Sequence, residues 1–225
     1  MKEQQKKYEL TGEFIEHWSG EKLYRIRALV SFGVVVAGQL GGFVESEKNL
    51  DQSLSGNAWV SGNAWVSGDA RVYGNAWVSG DAWVSGDARV YGNAQVYGNA
   101  QVYGNAQVYG NAQVYGNARV YGDAWVYGNA QVYGNAQVYG NARVRSYAVI
   151  SERKMIFWAS NVGSENGTLT VFNGKDGLIV TRGCFTGAVD EFLAKSAEVH
   201  DDKTKNEYKL LIEVAKSRIL GVKDE

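Results

Sequence analysis

A mainly β chain built around a triangular parallel β-helix is the fold class that three observations predict. Residues 56–145 are fifteen uninterrupted hexads of the form Gly-(Asn/Asp)-Ala-(Trp/Arg/Gln)-Val-(Ser/Tyr), opening at Gly56-Asn57-Ala58-Trp59-Val60-Ser61 and closing at Val144-Arg145. Within each hexad Ala and Val alternate with larger or polar residues, the period of two that gives a strand one buried face. The residue between Ala and Val reads Trp59, Trp65, Arg71, Trp77, Trp83, Arg89, and so recurs every third hexad. Like residues then align vertically if one coil is three hexads, a repeat of eighteen positions. Around this helix, spanning 36–150, the chain divides into an N-terminal β cap (1–35) and a C-terminal α+β domain (151–225).

The N-terminal segment carries two strand-like runs, Tyr8 to His17 and Lys22 to Val30, either side of the turn residues Ser19-Gly20-Glu21. In the second run Tyr24, Ile26, Ala28 and Val30 alternate with Arg25, Arg27 and Leu29, giving one mostly apolar face. A β-hairpin here covers the open first coil, which otherwise presents unpaired strand edges. Gly38 to Glu45 reads as an irregular first coil. His17 beside Trp18 is isolated and reads as a structural or solvent-facing histidine.

In the solenoid, Gly followed by Asn or Asp supplies each bend, because these residues tolerate the left-handed backbone region. A four-residue strand and a two-residue bend, repeated, must coil. Each side of the prism becomes a parallel sheet with strands roughly 4.8 Å apart. Each hexad buries a Val worth about 1.5 kcal/mol or more, together with a small Ala that suits a narrow interior.

The rungs resemble the hexapeptide-repeat left-handed β-helix of many acyltransferases and of γ-class carbonic anhydrases, and that resemblance implies the left hand. Those enzymes use histidines on the coils, as catalytic base or as metal ligands. The ninety-residue repeat here contains no His, Cys, Lys, Glu or Thr. The walls are therefore read as a scaffold without catalytic equipment, and the missing Thr excludes a threonine ice-binding array. The outward residues read as ladders that stabilise neighbouring rungs. Alternatively, Trp59, Trp65, Trp77 and Trp83 are exposed interface candidates in the first coils, for a second copy or another protein. A sugar-binding ridge is the remaining option.

After Arg145 the repeat decays. Met155–Trp158, Leu169–Phe172 and Leu178–Thr181 read as strands, the last two joined through Asn173-Gly174 and Asp176-Gly177. Ala188–Val199 and Asn206–Leu220 read as helices, the second with Tyr208, Leu211, Ile212, Ala215 and Ile219 on one face. Here lie the candidate ligand-binding residues. Ser164, Asn166 and Thr168, in the polar run Asn161–Thr168, and Arg182 suit a phosphate or nucleotide. Cys184, His200 and Tyr208 add a thiol, an imidazole and a phenol. The structural alternative makes Gly163–Gly167 an ordinary hairpin loop and Cys184 a small buried hydrophobe.

Gly38–Val44, the rungs, Asn161–Thr168 and Arg182–Gly187 together resemble uncharacterised hexapeptide-repeat proteins of bacteria and their phages, along the full length. That resemblance carries no activity, only a bacterial or phage setting.

Charge narrows the classes further. The formal net charge is −1, from 23 basic and 24 acidic residues. The balance is also local, so there is no basic surface for nonspecific nucleic-acid binding and no polybasic tail for a membrane. Cys184 is the only cysteine, which excludes an intrachain disulfide. Met1–Lys7 lacks the apolar run of a signal peptide, and Ala28–Val44 is too short and glycine-broken to span a bilayer. A cytoplasmic location is expected, with no metal and no cofactor. The leading expectation is a non-enzymatic binding or assembly protein, a homo-oligomer or one with a protein partner. A phage anti-defence protein sequestering a nucleotide-like signal is the alternative. An acyltransferase-like enzyme in which His200 replaces the coil histidine is the second.

Overall fold

The computed structural model describes residues 5–221. Every hexad contributes one two-residue strand of its fourth and fifth residues, from β4 (Trp59–Val60) at six-residue steps to β18 (Arg143–Val144). Val60 pairs in parallel with Val78, and Val78 with Val96. One coil is therefore three hexads, as the recurrence of the outward residues predicts. The strands are shorter than the four residues expected, because the corner at Gly-Asn also takes up the flanking Ser/Tyr and Ala. Ladder bonds still continue past the corner, as in Asn63 N–H to Gly80 O at 2.9 Å.

Each bend needs its glycine. Gly98 sits at φ +70°, and a Cβ there would lie 3.0 Å from the Gly116 nitrogen of the next coil. An L side chain would meet both a left-handed backbone penalty and a neighbouring main chain. Every Ala and Val of the hexads is buried, forming one continuous column down the prism.

The three sides of the prism differ at their N-terminal ends. The hairpin of β1 (Tyr8–Glu16) and β2 (Lys22–Ala28) forms as expected. It pairs with β3 (Leu40–Val44), which in turn pairs in parallel with the Trp65–Val66 strand. The hairpin thus extends one sheet to eight strands. The predicted apolar face is only partly right. Ile26 and Ala28 are buried, but so is Leu23 on the opposite parity, because the pairing slips between Arg25 and Arg27.

The coil that runs from Val44 to its partner Val66 is longer than a regular one by four positions. The extra positions lie after Leu50, which itself bridges Val72. This irregular first coil begins with a 3-10 turn, Glu47–Asn49.

In a regular rung the Gly and Ala carbonyls accept N–H groups from the coil before. The first rungs lack that coil, and each side replaces it differently. Phe43 N–H of β3 reaches Ala64 O at 2.9 Å. The Asn49 side-chain amide donates to Gly68 O and Ala70 O, both at 2.9 Å. The Lys7 ammonium, fully buried, donates to Gly56 O at 3.3 Å and Ala58 O at 3.2 Å.

The far end is closed by an antiparallel sheet of β20 (Ile156–Val162), β21 (Gly167–Gly174), β22 (Gly177–Arg182) and β23 (Phe185–Ala188). The last strand is an addition to the three that the sequence predicts. Thr170 and Thr181 are buried against the final rung. The Thr170 hydroxyl accepts Arg143 N–H at 3.1 Å, and the Thr181 hydroxyl donates to Arg143 O at 2.8 Å. Two helices, α1 (Val189–Val199) and α2 (Asp202–Leu220), pack on the other side of this sheet. α2 starts four residues earlier than predicted, because the Asp201 carboxylate caps Thr204 N–H at 2.8 Å. Tyr208, Ile212, Ala215 and Ile219 are its buried stripe, as the spacing requires. No described helix is long and apolar enough to cross a membrane.

Candidate functional site

The C-terminal polar residues do not converge as the sequence reading expects. Asn161–Thr168 is a β-hairpin: Gly163–Asn166 form the turn between β20 and β21, with Asn161 and Asn166 in the left-handed region. Ser164 and Asn166 are exposed at this tip, and Thr168 is turned away to bond Ser160 at 3.1 Å.

Arg182 is occupied elsewhere. Its Nε donates to the Tyr208 hydroxyl at 3.0 Å, and its terminal nitrogen to Val162 O at 3.1 Å. The guanidinium therefore joins β22 to α2 and β20 beneath the hairpin and does not line the depression that holds Ser164 and Asn166. Tyr208 is buried, with the His200 ring edge-on at 5.4 Å.

An open depression of about 620 Å³ does include Ser164 and Asn166 and is lined on its other side by Asp201, Lys203 and Glu207. Glu207 accepts Gly163 N–H at 2.9 Å. The Asp201 and Glu207 carboxylates thus already take the Thr204 and Gly163 N–H groups that border it.

Cys184 is exposed at the turn between β22 and β23, not buried. Its carbonyl accepts from Arg145 at 2.9 Å. No hydrogen bond joins Cys184 to His200 among the described residues. His200 caps the end of α1, with its Nδ1 buried and unpartnered. No group of three or more His, Cys, Asp or Glu side chains suited to a metal occurs among the described residues.

On the solenoid the expectation of four exposed indoles is also corrected. Trp59 is fully buried. The hexad points it outward, but the cap folds over it, with Tyr8 and Phe32 edge-on at 6.4 and 5.4 Å. Trp77 is half-buried and donates to Ser61 at 3.2 Å. Trp65 and Trp83 stack at 5.1 Å, nearly parallel.

That pair belongs to a longer column: His17, Trp65, Trp83, Tyr103, Tyr121, Tyr139 and Trp158 meet in sequence from cap to C-terminal sheet. Separate tyrosine ladders stand at the other two corners, Tyr73–Tyr91–Tyr109–Tyr127 and Tyr97–Tyr115–Tyr133. Rings within each ladder cover one another's faces, leaving edges and hydroxyls outward. A sugar, which docks C–H groups on an open ring face, finds few such faces along these walls.

Burial within the ladders raises the phenol pKa of Tyr73, Tyr91, Tyr97, Tyr115 and Tyr121, and that of Tyr109 to about 12. Between the ordinary value near 10 and these raised values the unfolded chain has lost protons that the folded chain retains. Stability therefore falls as pH rises through this window. Unfolding that starts above about pH 10 is expected, followed by circular dichroism against tyrosinate absorbance. Phenols that all titrate near pH 10 in a protein still folded would contradict it.

The three walls also differ in charge, a feature that reading ladder by ladder missed. Outward positions on the wall of Trp59, Trp77, Gln95, Gln113 and Gln131 are Asn, Trp, Gln, Ser and Tyr, with no charge at all. The wall of Arg71, Arg89, Gln107, Trp125 and Arg143 carries three aspartates, Asp69, Asp87 and Asp123, and four arginines, with Arg145. The signal was available in the sequence once hexads are sorted by coil position.

Comparison with known families finds the YdcK β-solenoid repeat at residues 64–80, 70–86, 82–98, 94–110, 100–114, 112–128 and 136–152. The matches begin at six-residue steps or multiples of them and each spans about one coil, so this likeness is to the solenoid repeat and leaves the cap and the C-terminal domain outside it. No curated protein matches the chain.

Proposed function

We propose that the β-solenoid scaffold serves as a non-enzymatic assembly element that pairs with a second copy through its uncharged wall. The observation that carries this reading is the segregation of charge: one wall is neutral over five coils, while another is densely charged. A neutral wall of amides and phenols repeats at the strand spacing of roughly 4.8 Å, so it matches another copy of itself rung for rung. A highly charged partner would leave its charges unpaired there.

The area sets the strength. With the Trp59 rung covered by the cap, four rungs by one side of the prism leave a face roughly 19 Å tall and 15 Å wide. That is well below the ≈ 800 Å² per partner of a stable complex. A weak, concentration-dependent dimer is the expected result, seen as a rise in weight-average mass by light scattering between about 10 µM and about 1 mM. Arginine at Gln95, Gln113 and Gln131 together will hold the protein monomeric. The single Gln107→Arg change on the charged wall will not. A monomer throughout this range, or a dimer indifferent to the triple substitution, would sink the assembly reading.

A further inference from the structure

The irregular first coil and the charged wall together line an open cleft of about 420 Å³, formed by Lys48, Asp51, Arg71, Val72, Tyr73 and Arg89. The size lies within the range of small-molecule sites. Its composition is unusual for a solenoid wall. Arg71 and Arg89 are in-register neighbours on adjacent strands, and both are exposed. Neither guanidinium has a hydrogen-bond or ion-pair partner among the described residues.

The obvious carboxylate is taken, since Asp69 bonds Lys48 at 2.8 Å. Two like charges about one strand spacing apart repel, and a shared anion relieves that repulsion with bidentate geometry. Tyr73 adds a second element. It is the first ring of its ladder: Tyr91 covers one face at 4.8 Å, and on the other side no ring follows among the described residues but Asp51, whose N–H bonds Val72 O at 3.0 Å. Asp51, whose Oδ1 accepts Ser53 N–H at 3.0 Å, leaves its other oxygen as an acceptor at the rim.

An anionic group for the arginine pair, a flat ring for Tyr73 and a hydroxyl or amine for Asp51 describe one ligand class. We infer that this cleft binds a nucleoside monophosphate, with Arg71 and Arg89 on the phosphate and Tyr73 under the base. The site is distinct from the C-terminal polar cluster and independent of self-association, which uses a different wall.

Calorimetric titration of the full chain with AMP, adenosine and inorganic phosphate tests it. AMP is expected to bind at least about tenfold more tightly than either fragment, because both elements contribute. The affinity will weaken with added salt. The double variant Arg71→Gln/Arg89→Gln removes two exposed side chains that have no structural bonds, so its melting temperature will stay near that of the parent. Its AMP affinity will fall at least about tenfold. No AMP binding at millimolar concentration, equal binding of AMP and phosphate, or an unchanged double variant would each overturn the inference.

Discussion

Replacing Asn49 by leucine will destabilise the protein by several kcal/mol, on the order of 2 to about 6 kcal/mol for two stranded acceptors, although the residue lies in a short surface turn. Its amide supplies hydrogen bonds to Gly68 O and Ala70 O, the two carbonyls at the open start of one wall. Its Oδ1 meanwhile accepts Ser46 N–H at 2.9 Å, holding the 3-10 turn over the rung. Leucine fills a similar volume and makes none of these bonds. Each buried acceptor left without a partner costs about 1–3 kcal/mol, which sets the range.

The control is another asparagine. Asn93 is exposed; its amide nitrogen donates to Asn111 at 3.0 Å and its oxygen accepts from Asn75 at 3.2 Å, both along the exposed ladder. Asn93→Leu leaves the exposed partners of both bonds to water and will cost less than about 1 kcal/mol. Chemical denaturation followed by circular dichroism compares the two. Solenoid coils are coupled mainly to their neighbours, so the Asn49 variant will also lose amide-exchange protection first at Val72 and Val90 and only later at Val144. Equal costs for the two substitutions, or uniform loss of protection along the rod, would show that Asn49 is no cap.

How far such residues are readable from sequence depends on how local their partners are. The solenoid was legible because each hexad repeats the same local physics: a glycine that accepts positive φ, an inward Ala and Val, and an outward side chain. The coil length followed from one further regularity, the recurrence at every third hexad. Trp59 shows the limit. Its hexad is the same as those of Trp65 and Trp77, yet it alone is fully buried, because Tyr8 and Phe32 arrive from a segment without repeats.

The candidate site suffered in the same way. Arg182 has the chemistry of an anion ligand, but α2 delivers the Tyr208 hydroxyl to it across 26 positions of sequence. Only the tertiary arrangement shows that two of its donors are engaged within the fold. The neutral wall, by contrast, was written in the sequence. It required sorting outward residues by side of the prism and summing charge, whereas composition averaged over the whole repeat conceals it.

Lys7 offers the second large effect and the sharper test, because its contribution depends on pH. The ammonium is fully buried at the mouth of the prism, bonded to Gly56 O and Ala58 O and 5.1 Å from the centre of the Phe32 ring. Burial lowers its pKa, and the nearby Asp51 charge opposes that shift only in part. Lys7→Met removes the donors and strands both carbonyls, but it also relieves the cost of burying a charge. The net loss at neutral pH is therefore smaller than for Asn49→Leu, about 1–3 kcal/mol.

The sign of the pH dependence follows from the lowered pKa. Between the folded value and the ordinary 10.5 of the unfolded chain, the unfolded state holds a proton that the folded state has released. Stability of the parent protein then rises with pH across that window. The neutral amine keeps two N–H groups, enough for both carbonyls. The methionine variant has no such proton to release, so the cost of the substitution grows as pH climbs towards the ordinary 10.5. Comparing the two proteins at each pH cancels the opposing contribution of the tyrosine ladders, which both share. A difference that stays constant over this range would mean that Lys7 is charged alike in the folded and unfolded chain, and that its burial imposes no penalty on the ammonium.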